Sequence, residues 1–413
     1  MRIMLFGTYD TSMHPRILTI SEGLSAHGLD VAECNAPLGL STADRVKLLA
    51  KPWIGIPTMI GRLASRWTTL ATRAFLMPAP DVVVVGYLGH FDVHLARLVF
   101  LVRGMARRRR IPIVLDHLIN ASDTGKDRRL DGGPRQALLR MIDAAALGAA
   151  DVIVVDTDEH LATLPERHRG RGVVVHVGAP AAWYDAGRTA GPQAQGDDLP
   201  AHRGRGEPPV EGEPLRVVFY GLYTPLQGTP AIGSALAKLA GANIEVTMIG
   251  RGQDEAEAKS AAANAAVRWL DWVPAAELPP LVAGHDVCLG IFGTGEKARR
   301  VVPNKVFQGA AAGCAVVTSD TAPQRRVLGD AALLVPPGDA DALATALGEL
   351  ADDRDRLAGL RAAARALADK SFTPAQVVAP LVEKICLSPG GAAPPPQGNP
   401  RKPRGPWASG LAG

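Results

Sequence analysis

Cysteine is scarce in this chain. The four present, Cys34, Cys288, Cys314 and Cys386, stand far apart, with no CxxC pair and no clustered histidine. That spacing offers neither a disulfide framework nor a structural zinc site, and it points to a reducing, cytoplasmic compartment. Long apolar runs are missing too. The opening MRIMLFGTYD reaches Gly7 after a short apolar run, too short for a secretory segment and suited to a first β-strand. VVVVG after Asp81 is too short to span a bilayer, and LARLVFLVRGM is interrupted by Arg97 and Arg103, so no transmembrane helix is expected. An excess of charge is also lacking. The net +4 owes three units to Arg401, Lys402 and Arg404 in the tail, which leaves the rest near neutral. A nucleic-acid partner, which needs a basic face on the folded body, is disfavoured.

What is present is a globular composition, 47% apolar over 413 residues, more chain than one hydrophobic core usually holds. Short β-branched runs alternate with longer helical stretches, the pattern of parallel sheets covered by helices on both faces. Strands are expected at 3–6, 30–34, 82–86, 112–116, 152–156 and 173–177, then at 215–220, 244–250, 267–270, 286–291, 315–318 and 332–335. Between the two sets lies GRTAGPQAQGDDLPAHRGRGEPPVEGEP, without periodicity and loaded with Gly, Pro and charge. The tail from 387 has the same character. The expected organisation is an α/β chain with one Rossmann-like domain over 1–186, a linker over 187–214, a second Rossmann-like domain over 215–386 and a disordered tail over 387–413. Open parallel sheets bind ligands beyond the carboxyl ends of their strands, so the cleft between the two sheets is the natural site.

The most informative stretch is VVPNKVFQGAAAGCAVV at 301–317. Pro303 and Asn304 read as a helix start with Asn304 as N-cap, so that the amides of Lys305, Val306 and Phe307 point into the cleft at the positive end of the helix dipole. This is a place for a diphosphate, with Lys305 adding a point charge. An ordinary capped helix under the sheet reads equally well.

Here the chain resembles the retaining GT-B glycosyltransferases, in particular the large family four that includes bacterial mannosyl- and glucosyltransferases. PNKVFQ and AAGCAVV fall on the P-x-K-x-x-E and A-x-G-x-P-V-V patterns of that family, and WVPAAELPPLVAGHDVCLGIF and LLVPPG extend the likeness. The resemblance implies two Rossmann-like domains facing across a cleft. It implies an enzyme of carbohydrate or glycoconjugate biosynthesis, a hexosyl- or related glycosyltransferase. Its co-substrate is a nucleotide-sugar bound in the C-terminal half, and its acceptor is a hydroxyl on a small molecule, glycan or lipid-linked sugar. No cofactor and no metal are implied.

Two positions depart from the family. Its pair of glutamates falls on Arg300 and Gln308, and Gln308 can hydrogen-bond a donor ribose only without charge assistance. In the loop YGLYTPLQGTPAIG, where the family commonly has an Arg and a Lys, this chain offers Gly221, Thr224, Gln227 and Gly228 before a helix over 230–240. Helix amides and a hydroxyl can still hold phosphate oxygens, and Arg251 is an available substitute cation. A plain βα turn and a surface arginine are the alternatives. Trp272 and Val273 match the region whose backbone meets the nucleobase in this fold, against a buried strand with aromatic packing.

On the N-terminal side, His14 and Arg16 precede a helix and are candidates for an acceptor anion or donor phosphate. Gly89 and His90, with Asp92, would line the acceptor side, unless Asp92 is simply a helix cap. The family often carries a histidine that contacts the transferred sugar. Asp116 and His117 are its nearest counterparts and the candidate catalytic residues, against a buried Asp accepting backbone amides. Finally, the basic run RGMARRRR and an apolar face formed by Trp53, Ile56, Met59, Ile60, Leu63 and Trp67 suggest peripheral contact with an anionic membrane, against a solvated helix end. The competing function is a non-catalytic GT-B protein that binds a partner transferase or a glycan, supported by the missing Arg, Lys and Glu.

Overall fold

The structure is a computed structural model that describes residues 1–11, 15–39, 52–118, 133–188 and 212–387, apart from the side chains of 52–56, 134 and 135. His14, the side chains of Trp53 and Ile56, most of the expected linker and nearly all of the expected tail lie outside the described residues.

Among the described residues, twelve strands form two six-stranded sheets, β2-β1-β3-β4-β5-β6 and β12-β11-β10-β7-β8-β9, parallel throughout. Each expected strand is present, with bounds displaced by a few residues at most: β1 Arg2–Gly7, β2 Asp30–Asn35, β3 Val82–Val85, β4 Ile113–Asp116, β5 Val152–Val155 and β6 Gly172–Val174 in the first sheet. The second holds β7 Leu215–Tyr220, β8 Ile244–Ile249, β9 Val267–Leu270, β10 Val287–Leu289, β11 Ala315–Ser319 and β12 Leu333–Val335.

Successive side chains of a strand point to opposite faces, and here both faces are covered. In β1, Ile3 and Leu5 enter one core cluster while Met4 and Phe6 enter another. In β7, Val217 and Phe219 face one way and Val218 and Tyr220 the other. Such strands read as continuous apolar runs rather than alternating ones, which is why they stand out in the sequence.

Two helices pack with the opposite half from the one expected. Helix Ala181–Arg188, placed by its sequence in the first domain, buries Trp183 and Tyr184 in a core of the second, and the Tyr184 hydroxyl donates to the Ala368 carbonyl at 3.1 Å. Helix Pro374–Leu387, expected in the second domain, buries Val377, Val378, Leu381, Val382 and Ile385 beside Ile17, Ile20 and Leu24 of the first. Its apolar stripe at i, i+1, i+4, i+5 and i+8 needs an apolar partner surface, and helix Arg16–Ala26 supplies it. A π-helical turn Ala368–Phe372 before Thr373 and Pro374 lets the chain change direction. Among the described residues the chain thus crosses between the halves twice, and the expected boundaries at 186 and 386 do not coincide with the packing. The four cysteines are free thiols, three of them buried.

Candidate functional site

In the second sheet the strand order reverses between β7 and β10, and in open α/β sheets the crevice at such a reversal is where ligands bind. Loops after these two strands meet there. Gly228, the N-cap of helix Thr229–Lys238, has φ 66°, and a Cβ on it would lie 2.5 Å from the Phe292 carbonyl carbon. A Cβ on Gly250, after β8, would lie 1.9 Å from the Gly221 oxygen. Only glycine permits backbone to approach backbone this closely, so the three loops form one continuous floor.

Lys305 lies under that floor and is only 4% exposed. Its ammonium donates to the Gln227 Oε1 and sits 3.9 Å from the centroid of the Phe219 ring. A Cβ on Gly221 would lie 3.1 Å from Nζ. Burial pushes the Lys305 pKa down to about 7. An amide oxygen and a ring face carry no formal negative charge, so an anion entering over Gly221 would supply the missing counter-charge.

Several expectations for this wall are corrected. Asn304 is not the cap: extended Pro303 is (ψ 153°), without a side-chain hydrogen bond, and Asn304 is the first residue of helix Asn304–Ala312. The proline has a fixed φ and no amide to satisfy, which suits it to that place. The Val306 amide donates to the Pro303 carbonyl at 3.0 Å and is not available to a ligand. Gln308 is buried, and its Oε1 accepts from the Tyr220 hydroxyl at 2.9 Å. Arg251 is exposed but paired with Asp271. Thr224 is half-buried, and its carbonyl accepts from the Gln227 amide at 2.8 Å. Trp272 is 65% exposed rather than packed, whereas Val273 packs against the core of this half. The aromatic packing belongs to Trp269, edge-on to Tyr223.

Across the cleft the strand ends of the first sheet carry a different chemistry. Arg16 Nε donates to both carboxylate oxygens of Asp116, at 2.9 and 3.1 Å, with the two side chains 1% and 0% exposed. The Arg16 guanidinium, a candidate for an acceptor anion or donor phosphate, is held by Asp116 through Nε. Burial pushes the Asp116 carboxyl above its usual range, with the Arg16 charge acting against it. His117, 1% exposed, has its ring 5.4 Å from that of His90 and 5.8 Å from that of His160. His160 is in turn held by Asp156 at 2.9 Å. His90 Nε2 lies 3.1 Å from Asp143 Oδ1. Gly89 is required before it, because a Cβ would meet the Gly86 carbonyl oxygen at 2.6 Å. Asp92 is no cap: it opens helix Asp92–Ala106 while its carboxylate accepts from the Thr8 amide, the Thr8 hydroxyl and Trp67 Nε1.

The halves touch through residues of the 157–176 and 300–326 stretches. Thr157 Oγ1 donates to the Arg300 carbonyl at 2.7 Å, Arg326 pairs with Asp158 and Glu159, and the rings of His176 and Phe307 lie 6.4 Å apart. Asp143, Asp156, Thr157, His160 and His176 were missed from sequence. The run VVDTDEH at the end of β5, with Asp and His four residues apart, was the one available signal.

Residues 214–353 match the sequence profile of the family described as glycosyl transferases group 1. A phosphatidyl-myo-inositol mannosyltransferase of Mycolicibacterium smegmatis is 38% identical over 160 residues, 36% of this chain and 40% of that protein. The match therefore spans less than half of either protein. Among solved structures, Anabaena HepE in complex with UDP and glucose aligns with a TM-score of 0.60 at 14% identity, covering 93% of this chain and 98% of that one. Sucrose-phosphate synthase from Thermosynechococcus elongatus aligns at 0.60 and 13%, covering 92% and 97%. An E. coli trehalose-6-phosphate structure bound with UDP-2-fluoro glucose aligns at 0.58 and 14%, covering 91% and 97%. The fold is the two-domain GT-B arrangement.

Proposed function

We propose that this chain is a glycosyltransferase that moves a hexose or related sugar from a nucleotide-sugar to a hydroxyl acceptor, with retention of anomeric configuration. The observation that carries this reading is the buried Lys305 ammonium beneath the Gly221 loop, at the strand reversal of a segment that matches glycosyl transferases group 1. Charge builds on the leaving diphosphate as the glycosidic bond to it breaks, and fixed donors aimed at that charge lower the barrier. Lys305, at the start of helix Asn304–Ala312 and beneath the Gly221 loop, is the principal such donor. In this reading a diphosphate oxygen takes the proton of the acceptor hydroxyl on the face the donor leaves, and no side chain acts as nucleophile. The donor half needs no cofactor.

The acceptor side is the wall around His90 and His117. An anionic membrane surface fits the exposed Leu98, Leu101, Val102 and Met105 of helix Asp92–Ala106, followed by exposed Arg107 and Arg108. Of the apolar face expected on helix Pro52–Leu76, Met59, Leu63 and Trp67 are partly buried, Trp67 being bonded to Asp92, Ile60 is exposed, and the side chains of Trp53 and Ile56 lie outside the described residues. Co-sedimentation with phosphatidylglycerol vesicles, lost in Leu101→Glu/Met105→Glu, is the expected result; binding unchanged by the pair overturns the membrane reading.

The deciding experiment is calorimetry with UDP-, GDP- and ADP-sugars on the wild type and Lys305→Met. One nucleotide should bind selectively, and the variant should lose about 100-fold in affinity, roughly 2.8 kcal/mol. Binding by none of them at millimolar concentration turns the assignment to a non-catalytic GT-B protein, the reading that Gln308 and the Asp271-paired Arg251 favour.

A further inference from the structure

We propose that His90, His117 and Asp143 form a divalent-metal site of the zinc class in the first domain, separate from the donor wall. The three come from different elements: the turn after β3, the residue following β4, and helix Gly133–Ala149. All are buried, at 9%, 1% and 7% exposure, and one ligand atom from each lies within 4.8 Å of the others.

The His90–Asp143 contact is the informative one. Nε2 and Oδ1 are 3.1 Å apart, yet the pair lacks hydrogen-bond alignment. In a tetrahedral zinc site with bonds of about 2.0–2.1 Å, neighbouring ligand atoms stand about 3.3 Å apart. Two imidazoles and a carboxylate suit zinc, and three protein ligands leave a position open for water or a hydroxyl. The site is set on rigid elements: Gly89 admits no side chain, and helix Gly133–Ala149 packs against helix Asp92–Ala106. Beside it, His160 is oriented by Asp156, and its buried Nε2 makes no hydrogen bond, so it faces His117 as a neighbouring polar group rather than as a partner of the core. The open position would lie at the carboxyl ends of β3 and β4, on the acceptor side of the cleft. The inference stands whether or not the donor reading holds, because no donor-side residue enters it.

The test uses the full chain, stripped with chelator and desalted. Titration with cobalt(II) should give the visible absorption of a four-coordinate ion at one equivalent, displaced by zinc, and elemental analysis after desalting should find one zinc per chain. Asp143→Asn and His90→Gln should each lower zinc affinity by more than the roughly 10–100-fold seen when only an outer partner is removed. His94→Gln, an exposed position on the neighbouring helix, should leave it unchanged. A wild type that retains no zinc and gives no cobalt spectrum overturns the proposal. Zinc held equally by the wild type and both variants overturns it as well. Should the variants fail to fold, the wild-type cobalt titration decides alone.

Discussion

The two halves share one sheet plan but equip their strand ends differently. The second domain meets the cleft with backbone: three glycine-bearing loops in contact and one buried cation, Lys305. The first meets it with side chains gathered below the surface: the ion pair of Arg16 with Asp116, the hydrogen bond of His160 with Asp156, and His90 beside Asp143. A wall of close-packed backbone over one cation is suited to a ligand with a constant charged part, such as a diphosphate. A buried network of imidazoles and carboxylates is a scaffold on which the ligand-facing surface can vary. The contrast follows from desolvation. An unmatched charge is tolerated inside only where a ligand will match it, and elsewhere charges must be paired on folding.

The contrast can be broken most forcefully at the paired end. Asp116→Asn leaves the Arg16 guanidinium buried without its counter-charge and should cost about 3–5 kcal/mol in urea unfolding. The double variant Arg16→Met/Asp116→Leu should recover most of that loss. A cost below about 1 kcal/mol for Asp116→Asn would mean that the pair is not closed in solution.

At the unpaired end the effect shows as pH dependence. With a folded pKa of about 7, Lys305 is already charged below pH 7, and nucleotide affinity there should be flat. Above pH 7 the amine must take up a proton when a diphosphate binds, so affinity should fall by up to about tenfold per pH unit until the bound-state pKa is reached. The sign for folding is opposite. The unfolded chain holds this proton up to its higher, ordinary lysine pKa, so Lys305 disfavours the fold below pH 7 and stability rises as pH climbs from there. Calorimetry in two buffers of different ionisation enthalpy measures the uptake, and an uptake of zero at pH 8 would contradict this assignment. The smallest effect is expected where the halves touch at the surface: Arg326→Ala should change stability by less than about 1 kcal/mol, and a larger loss on thermal unfolding would show a coupled network there.

Reading from sequence succeeded for the strands because each is buried on both faces, and a continuous β-branched run is a local pattern. Lys305 was legible as a residue of a helix start, since PNK marks one; its burial against Gln227 and Phe219 was not. Gln308 was legible in position only: its spacing placed it at the cleft, and the Tyr220 hydroxyl turned it inward. Arg251 looked like a free cation until Asp271, twenty residues on, was brought beside it. Asp143 sits in a helix whose local sequence gives no sign of His90 and His117.

Twelve strands in two parallel sheets, the glycine-bearing loops at their ends and the lysine at the start of helix Asn304–Ala312 were determined by the sequence alone, because periodicity, glycine and helix-start chemistry act over a few residues. Tertiary structure alone decided which charges are matched, which helices cross between the halves and which imidazoles converge, because burial and pairing are set by residues tens to hundreds of positions apart that only the packed sheets bring together.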